Sequence, residues 1–390
     1  MEDRTDVAIT QTELGRRIRR AREERGWSQE NLAEAIGLTQ SAVSRIEGGE
    51  RAVDSLELAS IARALRVSPL SLIEDNPFQV RLAARASALE AQELEPVLRR
   101  AETILEAGRL LDSLEITDPL VATNRPRIEI PALDDAVEEG KQLAARVRQA
   151  LELGDQPVVD IAKIAESRFG LDIAIEDLPD GVAGLFVEHG DAALALIDSS
   201  GVPGRQRFTI AHEICHQLCG DADDVAEVIV DRYGFDRKHR ERRANAFAAH
   251  FLMPERGLQK IIAGRPVDGQ VVAELQYEFG VSHDALLWQL LNTRLISRTE
   301  RKRFAMVGPK ALAMLHGYVA EWEAANEQRG LARPPARLLR RALEAYRHGL
   351  VGVGLVASLL DQPDVAGLRR ELADIGLGPE SGWVDDTAEA

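Results

Sequence analysis

Apolar positions between Thr12 and Glu74 recur at three- and four-residue intervals, in short blocks separated by glycine and hydroxyl residues. Leu14, Ile18 and Ala21 share one side of a first helix, Leu32, Ala33 and Ile36 one side of a second, and Ala42, Val43 and Ile46 one side of a third. Gly26 breaks the first block, Gly37 turns the chain between the second and third, and Ser28 and Thr39 stand where N-caps belong. A longer Leu/Ala-rich stretch, residues 76–114, is helical in period but contains Pro96, which is expected to end or kink a helix there. Pro119, Pro126 and Pro131 among polar residues read as a linker. Helical spacing resumes from about Asp134 to Leu153 and from Val158 to Phe169. Three β-like runs follow, LDIAIED, AGLFVEH and AALALID, with Gly190 and Asp191 marking a hairpin turn. Beyond a loop at SSGVPGRQR the helical period dominates to the C-terminus. The predicted class is mainly α (α+β), with one small three-stranded sheet.

Composition narrows the function. At 390 residues the chain is long enough for about two to four domains. Its net charge of −16 argues against a chain that coats nucleic acid indiscriminately, while leaving room for a local basic segment. No apolar run reaches the roughly 18–20 residues of a membrane span, and no basic, apolar, cleavable start is present, so no membrane partner and a cytoplasmic location are expected. Cys215 and Cys219, the two cysteines, form no disulfide framework; they read as buried thiols or as a redox-sensitive pair.

In the first segment the apolar side of the third helix leaves Gln40, Ser41, Ser44 and Arg45 facing outward. A short polar helix held across a glycine turn from a packed partner is helix-turn-helix geometry, in which the second helix enters the major groove. Glutamine pairs with adenine and arginine with guanine there, and Arg16, Arg17, Arg19, Arg20 and Arg22 on the preceding helix suit phosphates. The stretch SQENLAEAIGLTQSAVSRIEGGER resembles the DNA-binding domain of the XRE/Cro repressor family. That resemblance implies a five-helix, lambda-repressor-like domain over residues 10–75. It further implies recognition of a double-stranded DNA operator by Gln29, Gln40, Ser41, Ser44 and Arg45. Such readers pair on two half-sites, so a homodimer is expected, with Leu82 to Leu114 as a candidate interface.

The second candidate site lies in FTIAHEICHQLCG, residues Phe208 to Gly220. His212 and His216 project from one side of a helix one turn apart and can hold one metal ion; Glu213 is rotated from His212 by about 100°, beside the ion rather than on it. A histidine six residues beyond His216 is absent, the position being Ala222. In ERRANAFAAHFLMP, Glu241, Ala244, Asn245, Ala248 and Leu252 share a small, apolar face, and a carboxylate aimed at such a face calls for a cation. Asn245 is placed to orient a ligand imidazole, Arg242 and Arg243 are read as projecting elsewhere, and Asp221, Asp223 and Asp224 as solvated.

RFTIAHEICHQL together with ERRANAFAAHFLMP resembles the ImmA/IrrE family of metallopeptidases, which are gluzincins, and the likeness extends over roughly residues 135 to 300. It implies His212, His216 and Glu241 as ligands of one zinc-type ion, with manganese or iron as alternatives, and Glu213 as general base. The implied fold is a minimal zincin-like metallopeptidase with a small three-stranded sheet. Family members cut XRE-type repressors, and some relatives form toxin–antitoxin pairs, so a repressor or antitoxin is the implied protein substrate. Cys215 stands where the family usually has glycine. The strand AGLFVEH or AALALID is expected to offer an edge for an extended peptide, and Tyr277, His250 and Tyr233 are oxyanion candidates by residue type. The expected organisation is a helix-turn-helix domain over 10–75, a helical and Pro-rich linker over 76–131, a metallopeptidase domain over 132–300 and a helical C-terminal region over 301–390. Two other readings stay open: a transcription factor whose metal domain senses without cleaving, and a chain that cuts itself within 76–131.

Overall fold

Thr10, Ser28 and Thr39 each accept a hydrogen bond from a backbone N–H three residues on, and so start α1 (Gln11–Glu24), α2 (Gln29–Ile36) and α3 (Gln40–Glu47). Gly37, at φ 69°, ends α2 in the left-handed region that glycine adopts without strain. With α4 (Ser55–Leu65) these helices enclose Ile18, Leu32, Val43, Ile46, Ile61 and Leu65. A methyl group on Gly15 would lie 2.3 Å from the Ile46 carbonyl oxygen, so α1 and α3 touch through backbone. The computed structural model describes residues 10–65, 72–73, 88–118, 128–131, 133–189, 192–221, 228–232 and 239–380. The fifth helix expected for this domain lies outside the described residues, apart from a helical Leu72 and Ile73. Leu72 closes the same core.

Residues 1–84 and 85–390 form two separate units. The second begins with α5 (Ala88–Ser113) and α6 (Ala136–Ala150), then α7 (Ile161–Ile164), which widens into a π-turn over Ala165–Phe169. Strands β1 (Leu171–Glu176), β2 (Val182–His189) and β3 (Ala192–Asp198) occupy the three predicted runs. Helix α8 (Pro203–Cys219) follows, then β4 (Val228–Arg232) and α9 (His239–Leu252). The remainder is helical: α10 (Glu255–Ile262), α11 (Gly269–Phe279), α12 (His283–Asn292), α13 (Arg298–Ala305), α14 (Pro309–His316), α15 (Val319–Glu327), α16 (Ala336–Arg347), α17 (Val353–Leu359) and α18 (Val365–Asp374). The mainly helical class with one small mixed sheet is as expected. The sheet has a fourth strand, however, in the order β1-β3-β2-β4, with β1 parallel to β3 and β2 antiparallel to both β3 and β4. Strand β4 arises from the segment between the two histidine- and glutamate-bearing helices. Its five residues are too short a run to declare themselves by period.

Helix α5 continues through Pro96, where the sequence predicts a break. Val97, Ala101, Ile104, Leu105 and Leu111 are buried, and the helix packs on β3, α16 and α17. Burying each such side chain contributes about 1.5–3 kcal/mol, which together outweighs the roughly 3 kcal/mol cost of an interior proline. That face of the candidate dimer interface is therefore occupied within the chain. The C-terminal helices tie down the β1 side of the sheet. Arg337 forks onto the buried Asp172 at 2.8 and 2.6 Å, Arg333 meets Glu166 at 2.9 Å, and Arg100 of α5 meets Glu176 at 2.9 Å. Arg333 also exchanges two backbone hydrogen bonds with Ile175, at 2.8 and 2.9 Å, which caps the outer edge of β1.

The contact that positions the site is between α6 and α9. A methyl group on Gly140 would lie 2.2 Å from the Arg243 carbonyl oxygen and 2.8 Å from the Phe247 nitrogen, so α9 can seat only against a glycine. Gly140→Ala is expected to destabilise the second unit by about 1–3 kcal/mol, read as a lowered urea midpoint. An unchanged midpoint would show that the helices do not approach this closely.

Candidate metal centre and nucleic-acid interface

Helix α8 opens with Pro203 at its first position and ends at Gly220, φ 59°. Its central turns are buried: His212 is 2% exposed, Glu213 0% and His216 0%. Ile210, Ala211, Ile214 and Cys215 pack into the main core, which orients the two imidazoles away from it on one side of the helix. Helix α9, held on α6, brings Glu241 to them. The Glu241 Oε2 lies 3.1 Å from His212 Nε2, and its Oε1 lies 3.5 Å from His216 Nε2. The two Nε2 atoms are 2.9 Å apart. One nitrogen from each histidine and one Glu241 oxygen all fall within 4.8 Å of one another. Two imidazole nitrogens and a carboxylate oxygen converging in a buried place suit a divalent transition ion by donor type and by number, with room left in a tetrahedral set for one further ligand. The residues fit a metal.

Asp221 organises this centre, against the expectation that it is solvated. Gly220 turns the chain back, the Asp221 N–H donates to the His216 carbonyl at 3.1 Å, and its Oδ2 accepts from His216 Nδ1 at 2.7 Å. Arg243, read from the sequence as pointing elsewhere, is buried and forks onto both Asp221 oxygens at 2.5 and 2.6 Å, with Glu139 of α6 at 2.9 Å on its other side. Arg240 donates to the Asp221 carbonyl at 2.7 Å. Asn245, expected to hold an imidazole, is instead exposed. It lines a cavity of about 810 Å³ with Phe208, His250, Trp288 and Gln289. The i+4 spacing that suggested it was correct for the helix, but α9 is rolled so that Arg243 and Ala244 face inward. Asp223 and Asp224 lie outside the described residues, as does Tyr233. Of the other oxyanion candidates, His250 is hydrogen-bonded to Gln289 at 3.2 Å and Tyr277 stacks on Tyr318 with ring centroids 4.8 Å apart.

The electrostatics fit a place built for positive charge. Burial alone would lower the His216 pKa, but Asp221 and Glu241 accept its protons and push it up to about 10. Burial would raise the Glu241 carboxyl, yet His212 and His216 hold it well below the usual carboxylate range. Burial likewise opposes the charge on Arg243, and Asp221 and Glu139 more than restore it. Cys215 is fully buried; burial and then Cys219 one turn on push its thiol well above the ordinary value.

In the first unit Ser41, Ser44 and Arg45 are exposed on α3 and Gln40 stands at its start, also exposed. Gln29 is half-buried: its amide donates to Glu47 at 2.9 Å and its oxygen accepts from Gln40 at 2.7 Å. The two glutamines are thus set against one another at the junction of α2 and α3. Arg22, expected among the phosphate contacts, is buried instead. Its guanidinium forks onto Glu47 at 2.6 and 3.0 Å and donates to the Trp27 carbonyl at 2.6 Å, tying α1 to α3. Arg16 and Arg17 pair with Glu13, and Arg19 with Glu23.

Two family matches fall on these parts of the chain. Residues 18–72 match a helix-turn-helix family and residues 166–290 match the peptidase family described as the IrrE N-terminal-like domain. The chain joins an XRE-type helix-turn-helix domain to an IrrE-like peptidase domain. It is 31% identical over 175 residues to the radiation response metalloprotease IrrE of Deinococcus radiodurans, covering 44% of this chain and 51% of that protein. The corresponding protein of Deinococcus deserti is 37% identical over 97 residues, 24% of this chain and 34% of that protein. The HTH-type transcriptional regulator PrpR of Mycobacterium tuberculosis is 25% identical over 290 residues, covering 63% and 57%. The chain thus spans about half or less of the two IrrE proteins it resembles. Among the described residues no helix is long and apolar enough to cross a membrane.

With the folded His216 pKa raised from 6.5 to about 10 in the metal-free protein, its contribution to stability is present below 6.5 and fades as pH rises towards 10. Metal loading must displace that proton, so apparent zinc affinity should climb from about pH 6 to about pH 9, with proton release seen calorimetrically in buffers of different ionisation enthalpy. A pH-independent affinity without proton release would contradict this. Asp221→Ala should weaken zinc binding by about 10- to 100-fold, measured by competition with a chromogenic chelator; unaltered affinity would remove Asp221 from the centre.

Proposed function

We propose that this protein is a cytoplasmic DNA-binding transcriptional regulator whose peptidase domain is a zinc-dependent endopeptidase, and that its substrate is a partner repressor or antitoxin. The observation that carries the reading is the meeting of His212, His216 and Glu241 at one buried place beside Glu213, in a chain that also presents Gln40, Ser41, Ser44 and Arg45 on an open helix. The resemblance of the two domains to a repressor reader and to a metalloprotease supports it. His212, His216 and Glu241 would hold the ion, zinc by donor set, with manganese or iron as alternatives. When bound, such an ion polarises a peptide carbonyl and acidifies water.

The remaining chemistry belongs to side chains. Glu213, one residue on from a ligand and turned by about 100°, takes the proton of the attacking water and returns it to the departing amine. Asp221 holds the His216 Nδ1 proton, which leaves Nε2 free to act as a donor towards the ion. Arg243 and Glu139 keep Asp221 charged and fixed in the core. Operator binding as a homodimer through Gln29, Gln40, Ser41, Ser44 and Arg45 would concentrate the peptidase where its repressor substrate acts.

The test is co-expression with the protein encoded beside it. The wild-type chain should cleave that partner, and Glu213→Gln should slow cleavage by about 10²-fold or more while metal content stays at one ion per chain. Equal cleavage by both proteins would contradict the reading.

A further inference from the structure

A peptide to be hydrolysed must be held extended beside the metal and the base, and a strand edge is the surface that holds extended backbone. Strand β2 passes directly over that place. A methyl group on Gly184 would lie 2.8 Å from Thr209 Cγ2 and 3.2 Å from Glu213 Oε1, so β2 crosses α8 at Glu213 itself. Neither strand expected from the sequence to offer an open edge does so. β3 lies between β1 and β2, and the outer edge of β2 is filled by β4 of the same chain. The pairing is antiparallel, with Val228, Ile229 and Val230 opposite Val187, Phe186 and Leu185, and Asp231 opposite Gly184. The far edge of the sheet is capped by the Ile175–Arg333 bridge.

Resting on the peptidase reading above, we propose that β4 occupies the seat of the substrate strand, and that cleavage requires β4 to leave β2. His212, Glu213 and His216 are closed off as the molecule stands, at 2%, 0% and 0% exposure, so a peptide cannot reach the base without a rearrangement. The pairing of β4 is short and is interrupted between Val182 and Gly184, so its release gives up few backbone hydrogen bonds. Both roots of the segment that carries it are anchored independently of β2. Asp221 is clamped by His216 and Arg243, and α9 is seated on α6. Displacing β4 therefore leaves the metal centre assembled. The occupant that replaces it is an extended, unfolded stretch of a protein substrate, pairing antiparallel with β2.

The experiment uses the full-length, zinc-loaded protein with reduced casein as the unfolded substrate. Val230→Pro removes the N–H and the extended pairing at the middle of β4. It should raise kcat/KM by about tenfold or more through relief of the closed population, with zinc content unchanged and faster amide exchange at the β2 positions that face β4. A synthetic peptide with the sequence EVIVDRY should inhibit this variant by raising KM at constant kcat, and a scrambled peptide should not. Val230→Gly provides a milder release should the proline variant lose its zinc or its helical circular dichroism. Release of the β2 amides without a gain in kcat/KM, in a wild-type protein that does cleave, overturns the proposal and spares the peptidase reading. Release of those amides with no cleavage by any form, zinc being bound, overturns both.

Discussion

Two buried imidazole nitrogens 2.9 Å apart, with a carboxylate closing the third side, make a place suited to positive charge. Two neutral imidazoles facing each other through lone pairs would repel, and a bare Glu241 carboxylate at that depth would be expensive. Without a metal the centre answers with protons, which is why His216 stays charged far above the ordinary imidazole range and Glu241 far below the ordinary carboxyl range. A divalent ion held there would replace those protons and satisfy all three groups at once. The peptidase chemistry proposed for the domain depends on that substitution.

Much of the surrounding architecture can be understood as holding this place. Gly140 lets α9 lie against α6 backbone to backbone, which sets where Glu241 falls. Gly220 reverses the chain so that Asp221 lands on the outer nitrogen of His216, and Arg243 fixes Asp221 in turn. Breaking such a buried, hydrogen-bonded charge cluster costs about 3–5 kcal/mol when one partner is removed, so the centre is rigid in its own right. The flank of the sheet is held by separate arginines, Arg333 in the bridge to β1, Arg337 of α16 and Arg100 of α5. Stretches that read as linker and tail are thus packing elements of the peptidase unit.

The sequence was legible wherever a short-range rule governs. The caps at Ser28 and Thr39, the turn at Gly37, the exposed face of α3 and the three strand runs all follow from period and turn chemistry, and so does the one-turn pairing of His212 with His216. Long-range geometry was not legible. Whether Arg243 or Asn245 faces inward depends on how α9 is rolled against α6, and nothing in the local spacing of α9 states that. Asp221 sits in an acidic run resembling solvated surface; its one local signal is that it follows the helix-ending Gly220. Arg22 looks like its exposed neighbours until Glu47, on another helix, is placed beside it. Strand β4 is defined by its partner β2, whose sequence lies far upstream.

Zinc K-edge X-ray absorption on the metal-loaded protein tests the central claim most directly. Two imidazole nitrogens at about 2.0–2.1 Å and a carboxylate oxygen at about 2.0–2.2 Å are expected, with the imidazole scattering lost in a His212→Ala, His216→Ala double variant. A spectrum dominated by sulfur at about 2.3 Å, placing the ion on Cys215 and Cys219, or one without imidazole scattering, would contradict it.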